Sequence, residues 1–361
     1  MKKVAVFPQD PNPYQRLLHT ALAGEGVKAS YVPWPTGSHT LNLLLLPVSV
    51  GIARLRGARL LHLHWVYPFC IPFLSRSVGA RLAEVWFSVF LRTVRLCRMS
   101  LVWTAHNVLP HSPVFPDDAA QRRRLVAAAD AVVVHSEVTA RKLADIGARP
   151  TRTVTVPHGP YGDVWTETVG RAEARTRLGV PADASIVLFF GKVARYKGVQ
   201  DLVAVWPAVR EAFPGALLLV VGQCDDAGLR AELSAAATSA NSVDLRPNHV
   251  PEPDVPSYFA AADLVALPFR AVTTSGSVTL AYSLGRAVLI PDLEELSDAP
   301  SPAALRHAPT LDGLRTGLLA ALSAGRNELD DIGARGSNAL RRDDWKTAAK
   351  RHAQLYASLD T

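Results

Sequence analysis

Cysteine is scarce in this 361-residue sequence, acidic charge is thin in its first half, and no long apolar run occurs anywhere. The three cysteines, Cys70, Cys97 and Cys224, are too few and too scattered for a disulfide framework or a zinc site, so a reducing, cytoplasmic compartment is expected. The uncharged stretch from Ala29 to Ala53 is broken by Pro33, Pro35, Gly37 and Asn42. A spanning helix needs roughly 20 mostly apolar residues, so no integral membrane segment is expected. The start, MKKVAVF, runs at once into Pro8, Gln9, Asp10 and Pro11. It lacks the apolar core of a signal peptide and reads as a buried strand. Helix-turn-helix, zinc-finger and aromatic RNA-binding signatures are absent as well, and nucleic acid is not an expected partner.

What is present is an ordinary globular composition, 48% hydrophobic and 20% charged, long enough for two domains of about 150 residues. The net charge of +7 is uneven. From Met1 to Trp165 there are 19 Lys and Arg against 9 Asp and Glu; the remainder has 20 against 23. A basic first half attracts anionic headgroups or a phosphorylated substrate, or is simply a solvated face.

Short aliphatic runs alternate with helical patterns, as in repeated βαβ units with a parallel sheet. Strands are expected at Val4–Phe7, Lys28–Val32, Leu60–His64, Leu101–Ala105, Ala131–Val134 and Thr153–Val156. A second set follows at Ile186–Phe190, Ala216–Val221, Val243–Leu245, Leu264–Ala266 and Ala287–Ile290. Between the sets, His158–Pro181 carries Pro, Gly and charged residues and reads as a linker. The expected domains are 1–160, 161–340 and a C-terminal helix, 341–361. Open α/β sheets bind ligands beyond the carboxyl ends of their strands, so residues just after strands become the candidates.

One such segment is Phe190-Gly191-Lys192-Val193-Ala194-Arg195-Tyr196-Lys197-Gly198, in which glycine admits a ligand to the backbone and two lysines offer charge to a diphosphate. It resembles the donor loop of GT-B glycosyltransferases, particularly glycosyltransferase family 4. Further segments agree in order: Val134-His135-Ser136-Glu137, Val156-Pro157-His158-Gly159, Ala261-Ala262-Asp263-Leu264 through Pro268, and the terminal stretch Trp345–Tyr356. The resemblance implies two Rossmann-like doubly wound α/β domains facing across a cleft, with the last helix crossing back to the first domain. It also implies a hexosyltransferase that takes a UDP- or GDP-linked sugar to an acceptor hydroxyl of a lipid-linked sugar, glycan or glycoside.

By that resemblance Gly191, Lys192 and Lys197 hold the donor diphosphate, and the lysines stabilise the departing nucleotide. Thr274, Ser275, Gly276 and Ser277 precede a helix and offer a second phosphate contact, or else merely cap it. Val250 is the candidate for contact with the base. Relatives often carry two glutamates separated by seven residues; alignment on Gly285 puts Val272 and Leu280 there, so no role for those acids carries over. No Asp-X-Asp pair occurs, and neither a bound metal nor another cofactor is expected.

On the acceptor side His106 follows a strand and resembles the family's cleft-facing histidine. It is expected to serve as base or to position the sugar. Asn107 and His111 are secondary candidates, and His64 and Trp65 are expected to line the acceptor site. His62 and His64 have the spacing of a metal pair but no third ligand nearby. The first loop lacks the glycines of many relatives and leaves Asn12, Tyr14 and Arg16 for acceptor recognition, with helix capping as the simpler role of Asn12. Leu41–Arg59 and Ser75–Arg98 combine apolar residues with arginine and read as buried Rossmann helices or as a peripheral contact with an anionic membrane. Retention of anomeric configuration is expected. The alternatives are an inverting relative with His106 as base, a nucleotide-sugar epimerase, and a catalytically silent nucleotide- or sugar-binding shell.

Overall fold

The structure is a computed structural model that describes residues 1–361 apart from 11, 72–74, 111–112, 166–168, 240–241, 273–274, 298–303, 343 and 360–361. The chain divides into two compact units, Met1–His158 with Asp344–Thr361, and Gly159–Asp343.

The first unit begins β1 (Lys2–Phe7), α1 (Pro13–Gly24), β2 (Val27–Tyr31), α2 (His39–Leu55), β3 (Leu60–Leu63) and α3 (Arg76–Leu96). It continues β4 (Ser100–Thr104), α4 (Asp118–Ala128), β5 (Ala131–Val134), α5 (Glu137–Asp145) and β6 (Thr153–Thr155). The second unit runs α6 (Arg171–Leu178), β7 (Ser185–Phe190), α7 (Val199–Ala212), β8 (Ala216–Val221), α8 (Ala227–Ser239) and β9 (Val243–Arg246). It then adds α9 (Val255–Ala261), β10 (Leu264–Ala266), α10 (Gly276–Ser283), β11 (Ala287–Pro291), β12 (Ala304–His307) and α11 (Leu311–Leu340). A final helix, α12 (Trp345–Ser358), belongs to the first unit.

Each unit is a six-stranded parallel sheet, ordered β2-β1-β3-β4-β5-β6 and β12-β11-β10-β7-β8-β9. Strands such as Leu60–Leu63 and Ala131–Val134 are buried along their whole length, as helix-covered parallel strands must be. In the first unit α2 and α3 cover one face with Leu46, Val50, Phe87 and Phe90. Leu18 of α1 and Tyr356 of α12 share the other face. The strand order reverses between β1 and β3 and between β7 and β10, and such switch points open a crevice at the strands' carboxyl ends.

Two expectations differ from the structure. His158–Pro181 is not a linker throughout: the division falls after His158, and α6 is built into the second unit. Arg175 is only 2% exposed, and its Nη2 lies 2.9 Å from Asp263 Oδ2. Asp263 also accepts from Ile186 N at 2.8 Å and from Arg326 Nε at 2.8 Å. One arginine of a charged helix that looks solvated in sequence can be buried because a carboxylate distant in sequence pairs with it. The pattern of short aliphatic runs also does not mark β12. That strand is short, and Arg306 and His307 interrupt the apolar pattern by which parallel strands are read.

Candidate functional sites at the strand ends of the two units

In the second unit, β7 ends at Phe190 and the chain turns through Gly191 at φ 119°. After a single 3-10 turn at Arg195–Lys197, Gly198 opens α7 from the left-handed region at φ 71°. A Cβ on Gly198 would stand 1.9 Å from the Pro268 carbonyl oxygen, so only glycine lets this turn dock on the end of β10. That docking brings Lys197 to α10. Its Nζ lies 3.2 Å from Ser277 Oγ, and a Cβ on Gly191 would meet both atoms at 3.1 Å. Ser275 caps α10 by accepting from Val278 N at 3.2 Å. Glycine, ammonium and helix N-terminus thus converge at the β7/β10 switch point, an arrangement suited to a polyanion.

The two lysines differ. Lys192 is 58% exposed and lies 2.9 Å from Asp225. Lys197 is desolvated by its surroundings and faces the charge of Lys192, which lowers its pKa to about 8. Val250 is half-buried against the core, in the loop after β9. Val272 is buried and Leu280 packs on the same core, so apolar packing occupies the two places where relatives carry glutamates. Thr274 lies outside the described residues.

The first unit gathers histidines at the carboxyl ends of β3, β4, β5 and β6. His135 Nδ1 lies 2.9 Å from the Val156 carbonyl oxygen, His135 Nε2 lies 3.2 Å from His106 Nδ1, and His106 Nε2 lies 3.1 Å from His64 Nδ1. A carbonyl only accepts, so His135 donates from Nδ1. Burial holds His135 below its usual pKa against the raising effect of the Val156 carbonyl, and holds His106 and His64 well below theirs. Neutral rings with one donor each then leave a single solution: all three donate from Nδ1, and His106 and His135 accept at Nε2. The row ends at His64 Nε2, which is buried without a partner among the described residues. Long-range proton–nitrogen spectra of histidine-labelled protein at pH 7.5 are expected to show His64, His106 and His135 as Nδ1-protonated neutral rings. An Nε2-protonated signal from any of them contradicts the row.

Around it lies an aromatic shell. Trp65 stacks on His106 with centroids 4.5 Å apart and planes 14° apart. The Tyr14 ring packs 4.9 Å from both His106 and His158 and 5.2 Å from Trp345. His62 bonds Tyr356 Oη and Thr104 Oγ1, each at 2.7 Å, tying β3 to α12 and β4.

Several sequence expectations change here. Tyr14 and His64, expected to face an acceptor, are 2% and 1% exposed and form part of this ring cluster. Alternation along β1–α1 and β3 does not reveal that α12 covers them. Asn12 caps α1, its Oδ1 accepting from Tyr14 N at 2.9 Å. His62 is engaged by two hydroxyls, and among the described residues no group of three or more His, Cys, Asp or Glu is placed to hold a metal. Arg16 is exposed on α1, and Trp65 and Asn107 are half-buried at the strand ends. His111 lies outside the described residues. Nothing in the sequence groups His135, His158 and His352: the first two follow strands, in segments that resemble the family, and His352 comes from α12, its ring 5.6 Å from that of His62.

Residues 184–321 match the family model described as Glycosyl transferases group 1. Over 235 residues the chain is 29% identical to a GDP-mannose:glycolipid 4-beta-D-mannosyltransferase of Xanthomonas campestris, covering 64% of this chain and 60% of that protein. It is 28% identical over 308 residues to a D-inositol 3-phosphate glycosyltransferase of Nocardia farcinica, covering 79% and 65%. The matches therefore span less than two thirds of these relatives' own length. Among solved structures, sucrose-phosphate synthase from Thermosynechococcus elongatus superposes with a TM-score of 0.78 at 19% identity, covering 99% of each chain. The Anabaena protein HepE in complex with UDP-glucose gives 0.74 at 16% identity, covering 99% of this chain and all of that one. The chain has the GT-B fold.

Proposed function

With a group 1 glycosyltransferase domain in its second unit, we propose that this protein transfers a hexose from a UDP- or GDP-linked donor to the hydroxyl of a sugar or lipid-linked acceptor. One observation carries the reading: Gly191, Lys197 and Ser277 converge within contact distance at the β7/β10 switch point. The donor's diphosphate sits there, with the Lys197 ammonium and the amides opening α10 facing its oxygens. Charge builds on the leaving phosphate as the glycosidic bond breaks, and a fixed cation stabilises that state more than the ground state. Lys192 adds an exposed, weaker contribution. Val250 flanks the base. Relatives named for GDP-mannose and neighbours solved with UDP-glucose support this donor class.

In the first unit we assign His106 to acceptor positioning, with Trp65, Asn107 and Arg16 as the accessible groups near the strand ends. Both nitrogens of His106 are engaged by other imidazoles, so it has no free lone pair with which to take a proton. That favours retention, in which the acceptor proton passes to the departing phosphate. Inversion is the second reading, favoured by the apolar Val272 and Leu280 and by a relative named for a beta-linked product. All three cysteines are free, in keeping with a reducing compartment.

Calorimetric titration with UDP and GDP tests the donor site. Saturable binding of one nucleotide is expected, and its matching sugar donor should yield a glycoside whose proton coupling constants report the anomeric configuration. A folded protein that binds neither nucleotide overturns the proposal.

A further inference from the structure

No helix among the described residues is long and apolar enough to cross a membrane, yet two helices of the first unit expose apolar side chains to solvent. On α2, Leu41, Leu44, Val48 and Leu55 are 45–89% exposed; on α3, Val78, Leu82, Val85 and Leu96 are 46–82% exposed. Their spacings of three, four, seven and eleven residues put each set along one stripe. The two helices run side by side in the same direction. Trp86 Nε1 donates to the Leu43 carbonyl at 2.7 Å near one end, and Arg54 Nε donates to the Cys97 carbonyl at 3.0 Å near the other. Their opposite faces, with Leu46, Val50, Phe87 and Phe90, are in the core, so both stripes look outward. From Thr40 to Ala53 α2 carries no acidic or basic residue.

The far end of the same layer is basic. Arg56, Arg59, Arg92, Arg95 and Arg98 are exposed there, and none pairs with a carboxylate among the described residues. The lone acid of α3, Glu84, faces Gln121 and Arg124. Beside Arg56 a cavity of about 180 Å³ opens between β1, β2 and the end of α2. Lys3, Lys28, Arg56, Ser30 and Tyr31 line its polar side, and its walls include no carboxylate. Lys3 Nζ donates to the Arg56 carbonyl at 2.8 Å, which covers the carbonyl end of α2 and keeps a cation at the rim.

We propose that the outer face of α2 and α3 docks on an anionic phospholipid bilayer, with the Lys3–Lys28–Arg56 cavity taking a lipid phosphate. An uncharged apolar stripe beside unpaired guanidinium groups matches acyl chains beside phosphates. A protein partner of such charge would have to supply acidic groups next to a flat aliphatic surface. The inference goes beyond sugar transfer and is independent of it, because vesicle binding requires neither donor nor acceptor.

Co-sedimentation of the full chain with vesicles tests it. The protein is expected to bind vesicles containing phosphatidylglycerol at least tenfold more tightly than pure phosphatidylcholine, and to release as salt rises. The pair Leu44→Glu and Val48→Glu, and separately the pair Lys28→Glu and Arg56→Glu, should each weaken binding at least tenfold with an unchanged thermal midpoint. Equal binding to both vesicle types, or no binding with self-association in solution, overturns the proposal. So does full competition by inorganic phosphate with no effect of the apolar pair, which would make the cavity a site for the free ion.

Discussion

Lys197→Ala is expected to weaken binding of UDP or GDP by about 100-fold or more and to lower the transfer rate at saturating donor as well. The side chain is held against Ser277 and Gly191 in a desolvated setting, where a charge–phosphate contact is screened least by water. Lys192→Ala should cost only a few-fold, because its ammonium is exposed and already paired with Asp225. The contrast separates a built site from general positive charge, which would make the two losses equal. The pKa of about 8 adds a second signature. The protonated form binds the diphosphate, so nucleotide affinity should fall as pH rises through 8 and should lose that dependence in Lys197→Ala. Calorimetry at pH 7 and pH 9 reads both effects. A variant that binds as tightly as the parent removes Lys197 from the donor site.

Acid should unfold the first unit well before ordinary carboxylate titration. Burial holds His62, His64 and His106 well below 6.5 and brings His19 and His352 to about 4. Above pH 6.5 these rings are neutral in both folded and unfolded chains. As pH falls below 6.5 the unfolded chain takes up protons that the folded chain refuses, so stability is lost from 6.5 toward 4. At pH 5 a ring held at about 4, such as His19 or His352, costs about 2 kcal/mol, a sizeable share of the 5–15 kcal/mol that holds an ordinary domain, and His62, His64 and His106 act in the same direction. Tryptophan fluorescence mostly reports this unit, which holds Trp34, Trp65, Trp86, Trp103 and Trp345. Its transition should move sharply down in temperature between pH 7 and pH 5, with a smaller change in the second unit. A flat transition over that range would mean the histidines are not held neutral.

Much of the fold could be read from the chain. Parallel strands buried on both faces are written as aliphatic runs, and such runs mark eleven of the twelve strands among the described residues to within a residue or two. The Gly-Lys and Lys-Gly pairs mark the proposed donor loop because a backbone that is to approach a phosphate needs glycine locally. Such requirements lie within a few residues and survive in one dimension. The histidine row does not, since His64, His106 and His135 belong to separate strands and meet only when β3, β4 and β5 align. Nor did α6, whose Arg175 looks solvated until Asp263 is beside it. The sequence by itself therefore determined the two-sheet architecture and the glycine- and lysine-bearing turn after β7, because both follow from local backbone and burial rules. Only tertiary structure decided that Tyr14 and His64 are interior, that His106 has no free nitrogen, and that apolar stripes on two helices face the same way. Each of these depends on which surfaces long-range packing covers.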